Sequence, residues 1–198
     1  MKITASALSF NVEDVTASAN FVKQYFGFSE EMSVTMNFLI RPLMLEDESI
    51  VWKMLRYAAH ESSIESVRQQ PYLARYALNW GRIGDLGYVV SIDDKSPIGA
   101  AWLRLWLGED KGFGYVNDEI PELAIAVLPN YRGQGIGAKL LTQILAPAKI
   151  KYPAVSLSVR ANNPVVQLYE RTGFIKVPGS EVVNRAGEVS FNMVYEFR

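Results

Sequence analysis

The 198-residue chain contains no cysteine and a single histidine, His60. Without thiols it can form no disulfide, thiolate nucleophile or Cys-ligated metal site, and it suits a reducing compartment. One histidine excludes a His cluster for zinc and argues against a Ser-His-Asp site, so no metal is expected. No apolar run is long enough to span a bilayer, and the N-terminal residues lack the charged, apolar and small-residue order of a secretory signal. Charge of one sign is missing too: 20 Lys and Arg stand against 21 Asp and Glu, a net charge of -1. Such a balance supplies no field to hold nucleic acid or an acidic membrane, and neither is an expected partner. The expectation is a cytoplasmic globular protein. With 49% apolar residues, the length suits one cored domain, or one domain with an appendage.

Residues 3–10 read as a strand and residues 17–25 as a short amphipathic helix stopped by Gly27, a unit too small to stand alone. A second start follows at residues 37–42, extended and ended by Pro42. A helix with Ile50, Met54, Leu55, Ala58 and Ala59 on one face comes next. Residues 74–80 read as helical up to Gly81. Residues 87–92 and 98–106 read as strands joined by a turn at 93–97, and residues 123–128 as a buried central strand. A strand at 154–159, a helix at 164–172 and a strand at 189–195 complete a mixed α/β layer.

The informative stretch runs from Glu122 to Leu141. An apolar strand enters a glycine-rich turn, and a helix leaves it with Ile136, Leu140, Leu141, Ile144 and Leu145 on its apolar face. This order aims backbone N–H groups and the positive end of a helix dipole at one spot, which is an anion site. Gly133, Gly135 and Gly137 let the backbone approach a bulky oxyanion, and a phosphate is the natural occupant. A Walker loop would need Gly-Lys-Ser/Thr where Ala138, Lys139 and Leu140 stand. A dinucleotide fingerprint would need a third glycine one place later and an acid about 20 residues on. From Leu123 through Tyr169 there is no Asp or Glu, whereas Arg132, Lys139, Lys149, Lys151 and Arg160 are basic. That composition points to a ligand with several phosphates and no need of a metal.

Arg132-Gly-Gln-Gly135-Ile-Gly137 resembles the Arg/Gln-x-x-Gly-x-Gly/Ala signature of the GNAT superfamily of N-acetyltransferases. The resemblance extends through Asn163-Pro164, Tyr169 and Gly173-Phe174 and, in element order, over residues 37–198. It implies an α/β GNAT fold, with a central mostly antiparallel sheet, flanking helices and a splayed strand pair at the acetyl-CoA site. It implies that Arg132, Gly133, Gln134, Gly135, Ile136 and Gly137 hold the pyrophosphate of acetyl-CoA, the cosubstrate. Ile125, Ala126 and Val127 would line it from the strand, with the Val127 N–H toward the oxyanion, and Asn163 would touch the pantetheine arm. Tyr169 stands where the family protonates the departing thiolate; the alternative is a core tyrosine packed on the sheet. Glu122 is the candidate base, acting directly or through water; the alternative is a solvated strand-end acid.

The implied reaction is acetyl transfer to a primary amine by direct attack in a ternary complex. The acceptor would be a small molecule or a peptide, and the protein a monomer or homodimer. Arg104, on one strand face with Trp102, would meet an acceptor carboxylate or stand as a surface charge, and His60 reads as an exposed helix cap. Residues 7–28 resemble the opening of the glyoxalase/bleomycin-resistance (VOC) superfamily, but residues 5–10 offer only Ser6 and Ser9 where that family places a metal ligand. Residues 1–35 therefore read as a fused fragment without activity of its own, and 36–198 as the transferase domain. Two other functions stand beside the enzyme: a non-catalytic acyl-CoA-binding or regulatory module, and a VOC-type drug-binding protein.

Overall fold

The computed structural model describes residues 38–92 and 96–197. The unit expected over residues 1–35 and most of the 93–97 turn lie outside the described residues. One sheet contains β1 Leu39–Pro42, β2 Leu86–Ser91, β3 Pro97–Arg104, β4 Glu122–Val127, β5 Ala154–Arg160, β6 Ile175–Lys176, β7 Val182–Val183 and β8 Val189–Glu196. Its order is β1-β2-β3-β4-β5-β8-β6, with β7 also on β8. Every neighbouring pair is antiparallel except β4 and β5. The mixed α/β class and the mostly antiparallel sheet agree with the sequence reading.

Strand alternation divides the core between two sheet faces. Ala101, Leu103 and Leu123 turn toward α4 Ile136–Lys151 and α5 Val166–Thr172. Ala100, Trp102 and Ala126 turn the other way, against α1 Glu48–Ala58, α2 Ile64–Arg68 and α3 Pro71–Ala74. Helices cover both faces of β3, which is why its sequence is apolar at nearly every position rather than alternating.

Two helices are shorter than their sequence suggests. The helix expected over 74–80 is the single turn α3, followed by irregular turns. Tertiary donors capture the carbonyls there: Arg104 Nη1 donates to Arg75 (2.6 Å) and Leu78 (2.9 Å), and Trp102 Nε1 donates to Tyr76 (3.0 Å). Asn79 then adopts a left-handed φ of 56°, which ends any helical path. In the same way α5 begins at Val166 rather than at Pro164. Asn163 Oδ1 accepts the Val165 N–H at 3.1 Å, a local side-chain turn that precedes the helix. Gly173, at φ 109°, closes it in the left-handed cap that its position indicates.

Arg104 corrects a further expectation. It is neither on the surface nor turned to an acceptor, having 0% exposure, and its guanidinium forks onto Asp85, itself 3% exposed in its side chain. Nε meets Oδ1 at 3.0 Å and Nη2 meets Oδ2 at 2.6 Å.

Candidate active site

The parallel pair β4 and β5 meets in one register, Glu122 opposite Ser156, with the Ser156 N–H donating to the Pro121 carbonyl at 3.0 Å. Beyond that point the strands part. Leu128 N–H donates to Ile98 at 2.8 Å on the β3 side. In an antiparallel ladder the alternate residues face the other way, so Val127 and Ile125 present their amides to the gap. The Val127 carbonyl does point there, accepting Arg132 Nε at 2.9 Å. Ala126, opposite Ala100, spends its backbone on β3. Of the three strand residues chosen from sequence, Ile125 and Val127 face the gap with their backbone and Ala126 does not.

At the end of β4 the chain makes a single 3-10 turn, Pro129–Tyr131, and enters the glycine loop. Gly133 and Gly135 both have φ 76°, a left-handed geometry that glycine adopts without strain, and a Cβ at either would meet nothing within 4 Å. Arg132, Gly133, Gln134 and Gly135 are all exposed. The first helical bond of α4 runs from Lys139 N–H to the Gly135 carbonyl at 3.1 Å, and no side chain caps the helix. The amides of Ile136, Gly137 and Ala138 are therefore the orphan donors of this terminus, at the positive end of the helix dipole. Ile136 is 1% exposed and anchors the loop in the core. A Cβ at Gly137 would lie 3.2 Å from Leu168, so glycine here lets α4 approach α5. Open space, positive φ and unpartnered amides together fit a phosphate group.

Tyr169 lies on α5, with its ring 6% exposed and 5.7 Å from the Phe174 ring. Burial pushes its phenol well above the usual range. Asn163 occupies the turn that leads into the same helix.

Glu122 is not a solvated strand-end acid. It is 4% exposed and caged by three donors: Tyr76 OH and Gly114 N–H on Oε1, and Trp106 Nε1 on Oε2, each at 2.8 Å. Desolvation outweighs these bonds and raises its pKa to about 7. Tyr76 OH in turn accepts the Phe113 N–H at 2.6 Å. Residues 112–114 lie against the carboxylate and β5: a Cβ at Gly112 would fall 2.1 Å from Glu122 Oε2, and one at Gly114 would fall 2.7 Å from the Leu157 carbonyl carbon. None of Tyr76, Trp106 or Gly114 carries a local sequence signal for this role.

The turn between β7 and β8 is held to the helical layer by Arg185. Arg185 donates to Glu61 (2.5 Å), to Gln70 Oε1 (2.6 Å) and to the Ala59 carbonyl (2.9 Å), tying the last hairpin to the end of α1. His60, exposed with φ 58°, closes α1 as expected. Partial desolvation, then the Arg160 and Arg132 cations, hold its imidazole below the ordinary range. Among the described residues no three His, Cys, Asp or Glu gather as a metal site, and no helix is long and apolar enough to cross a membrane.

Residues 85–176, from the Arg104 partner Asp85 through the gap and the glycine loop to β6, match the family model of an acetyltransferase (GNAT) domain. Solved structures agree in fold. One is yncA from Salmonella typhimurium, solved with its cofactor acetyl-CoA: 19% identity, TM-score 0.62, 82% of this chain and 95% of that one. Another is the ribosomal-protein-S18-alanine N-acetyltransferase from Escherichia coli: 20% identity, TM-score 0.57, 81% of this chain and 94% of that one. A third is the spermidine/spermine N-acetyltransferase SpeG from Vibrio cholerae: 19% identity, TM-score 0.53, 80% and 92%. The described domain has the GNAT acetyltransferase fold. No curated protein matches the sequence.

Proposed function

We propose that the protein is an acetyl-CoA-dependent N-acetyltransferase, acting on a primary amine by direct attack in a ternary complex. One observation carries this reading: the gap that bares the Ile125 and Val127 backbone ends at an exposed loop of glycine amides. An extended arm can bond along one edge of β4 while its phosphates sit on the loop. The amides of Gly133, Gln134, Gly135, Ile136 and Gly137 would hold the pyrophosphate. Arg132 braces the loop through the Val127 carbonyl, and Asn163 flanks the arm. Because the loop lies at the C-terminal end of β4, Val127 is the nearer residue and Ile125 lies further in, toward Glu122. We therefore give the arm to Val127 and the donor for the developing oxyanion to Ile125, two residues deeper than the sequence alone suggested.

When bound, acetyl-CoA supplies an activated thioester carbonyl. The chain's own groups manage the protons. An ammonium has no lone pair with which to attack, so the amine must lose a proton; Glu122, with a pKa near neutrality, accepts it directly or through one water. Burial keeps the Tyr169 phenol protonated; it gives that proton to the departing thiolate and regains one from the nitrogen of the collapsing tetrahedral adduct, directly or through water, so that the amide and the free thiol are the products. We further read the protein as cytoplasmic, with residues 1–35 a fused fragment lacking its own activity.

The reading is tested by Tyr169→Phe. Thiol release with a panel of amines should fall by roughly 10- to 100-fold, while calorimetric affinity for acetyl-CoA changes by less than about twofold. Affinity without any thiol release from the unaltered protein would instead establish a non-catalytic acyl-CoA-binding module. Gly135→Ala tests the cradle separately. A methyl at positive φ costs about 1 kcal/mol of stability. It also projects into the phosphate's space, so the Kd for acetyl-CoA should rise by roughly tenfold or more. An unchanged Kd would remove the loop from the site.

A further inference from the structure

We infer that Tyr76 is a positioning residue for the proposed base: its hydroxyl holds Glu122 Oε1 as the unprotonated oxygen and leaves Oε2 to carry the exchanged proton. This inference rests on the N-acetyltransferase reading and deepens its account of Glu122. The direction of each bond decides the matter. A phenol has one proton, and the Tyr76 oxygen already accepts the Phe113 N–H at 2.6 Å, so the partner left for its own proton is Oε1, 2.8 Å away. Gly114 N–H and Trp106 Nε1–H can only donate, the first to Oε1 and the second to Oε2, each at 2.8 Å. Oε1 therefore faces two protons and Oε2 faces one. A proton added to Oε1 would confront both of its donors, whereas Oε2 has an acceptor position left, so the neutral carboxyl carries its proton there. Gly112 keeps side-chain atoms off that oxygen: a Cβ at 112 would lie 2.1 Å from Oε2, and the residue has no left-handed φ that would otherwise call for glycine.

Tyr76 is fixed well enough to hold this direction. Its ring is 5% exposed and stands edge to face with Trp106, 4.9 Å between centroids, so the two side chains that grip opposite oxygens also brace each other. Its carbonyl accepts Trp102 Nε1 at 3.0 Å, and Arg104 Nη1 holds the Arg75 and Leu78 carbonyls on either side. Burial, and then the Glu122 charge, push the phenol far above its ordinary range, so it stays a neutral donor while the carboxyl titrates. The carboxyl itself answers to burial and to its three donors, not to a neighbouring charge. Arg104 stands opposite Glu122 in the β3–β4 register but is spent on Asp85. Arg75 pairs with Asp110, and Arg82 lies over the Trp106 ring at 5.7 Å. From β5 comes the Ser156 hydroxyl, which donates to the Pro121 carbonyl at 3.4 Å, and α1 turns the apolar Val51, Met54 and Leu55 to this face. With no ion to set its state, the carboxyl depends on the donors, and Tyr76 is the one whose proton another bond directs.

The test compares the full chain with its Tyr76→Phe and Trp106→Phe variants by infrared difference spectroscopy between about pH 5 and about pH 9, the protonated-carboxyl band being assigned by its absence in Glu122→Gln. If Oε1 is the carbonyl oxygen, Tyr76→Phe takes a hydrogen bond from that C=O and should move the band to higher wavenumber. Trp106→Phe strips the hydroxyl oxygen instead and should move it much less. In kinetics, the kcat/KM limb near 7 should shift upward by roughly one pH unit or more in Tyr76→Phe, because a donor to the anion is lost. The alkaline plateau and the KM for acetyl-CoA should stay within about threefold of the parent. A plateau that falls while limb and band stay put would be a merely structural effect and would overturn the inference. So would a band that answers more to Trp106→Phe than to Tyr76→Phe; were Tyr76→Phe unable to fold, a large shift in Trp106→Phe alone would put the carbonyl on Oε2 and overturn it equally. The expected band shifts in a protein that releases no thiol with any amine would sink the transferase reading and leave the Tyr76 assignment standing. Band and limb unmoved in an active enzyme would do the reverse.

Discussion

Replacing Asp85 by alanine should lower the unfolding free energy by roughly 3–5 kcal/mol, the range for stranding one partner of a buried ion pair. Both partners are sealed, with side-chain exposures of 0% for Arg104 and 3% for Asp85. Asp85 Oδ2 also accepts the Gly81 and Arg82 N–H groups at 3.0 Å each, so the carboxylate binds the start of the segment that leads into β2. Its loss leaves a guanidinium that cannot shed its proton and cannot reach water. The carbonyls of Arg75 and Leu78 still hold Arg104 Nη1, but they carry no countercharge. In a domain of this size the cost should appear as a fall in Tm of roughly 10 °C or more. Arg104→Met combined with Asp85→Ala should recover part of the loss, since two buried charges are then replaced by apolar volume. A single variant that melts within about 1 °C of the parent would show that the pair contributes nothing. Activity should suffer as well, because Tyr76 sits between the Arg75 and Leu78 carbonyls that Arg104 holds, and Tyr76 is a donor to Glu122.

What was legible in the sequence follows from how local each cause is. The apolar run of β4, the glycines of the loop and the apolar face of α4 belong to one short stretch, and each acts through its own backbone or its own turn. The same holds for Gly173, whose positive φ closes α5 where the sequence indicates. Glu122 could be named from its place at the head of β4, but its burial could not. Its donors come from Gly114, Trp106 and Tyr76, which are 8, 16 and 46 residues away, and only the packed sheet brings them together. The overestimated helix at 74–80 fails for the same reason, since its carbonyls go to Arg104 and Trp102 from β3. The Arg185 to Glu61 tie, across 124 residues, has no local trace at all. Arg104 is the instructive case: its alternation with Trp102 placed it correctly on a strand face, yet a charged residue on that face suggests solvent, not a sealed pair with Asp85.

Glu122→Gln should change both the pH dependence of the reaction and that of folding. In the native state burial pushes the carboxyl's pKa up to about 7 from its ordinary 4.5, because it penalises the anion by more than the three donors repay. A raised native pKa means that the folded chain holds the proton more tightly than the unfolded chain. The stabilisation is therefore complete below about pH 4.5 and is lost as pH climbs toward 7, by up to about 3 kcal/mol. Glutamine carries no such proton. In the variant this slope should vanish, although its amide now faces the Trp106 N–H and loses that bond, at a cost of about 1–3 kcal/mol at every pH. The gap in Tm between parent and variant should consequently narrow as the pH is raised from about 4.5 through about 7. On the catalytic side, kcat/KM of the parent should rise with pH through a limb near 7, as the base becomes available. Glu122→Gln should lose that limb together with roughly 100-fold or more of the rate. A variant that keeps the limb but loses rate would mean that the carboxylate only fixes the 112–114 segment and Tyr76, with the amine's proton leaving by another path. If neither the folding slope nor the limb moved, the cage would hold a carboxyl that stays ionised throughout, and burial would not be the force that sets its chemistry.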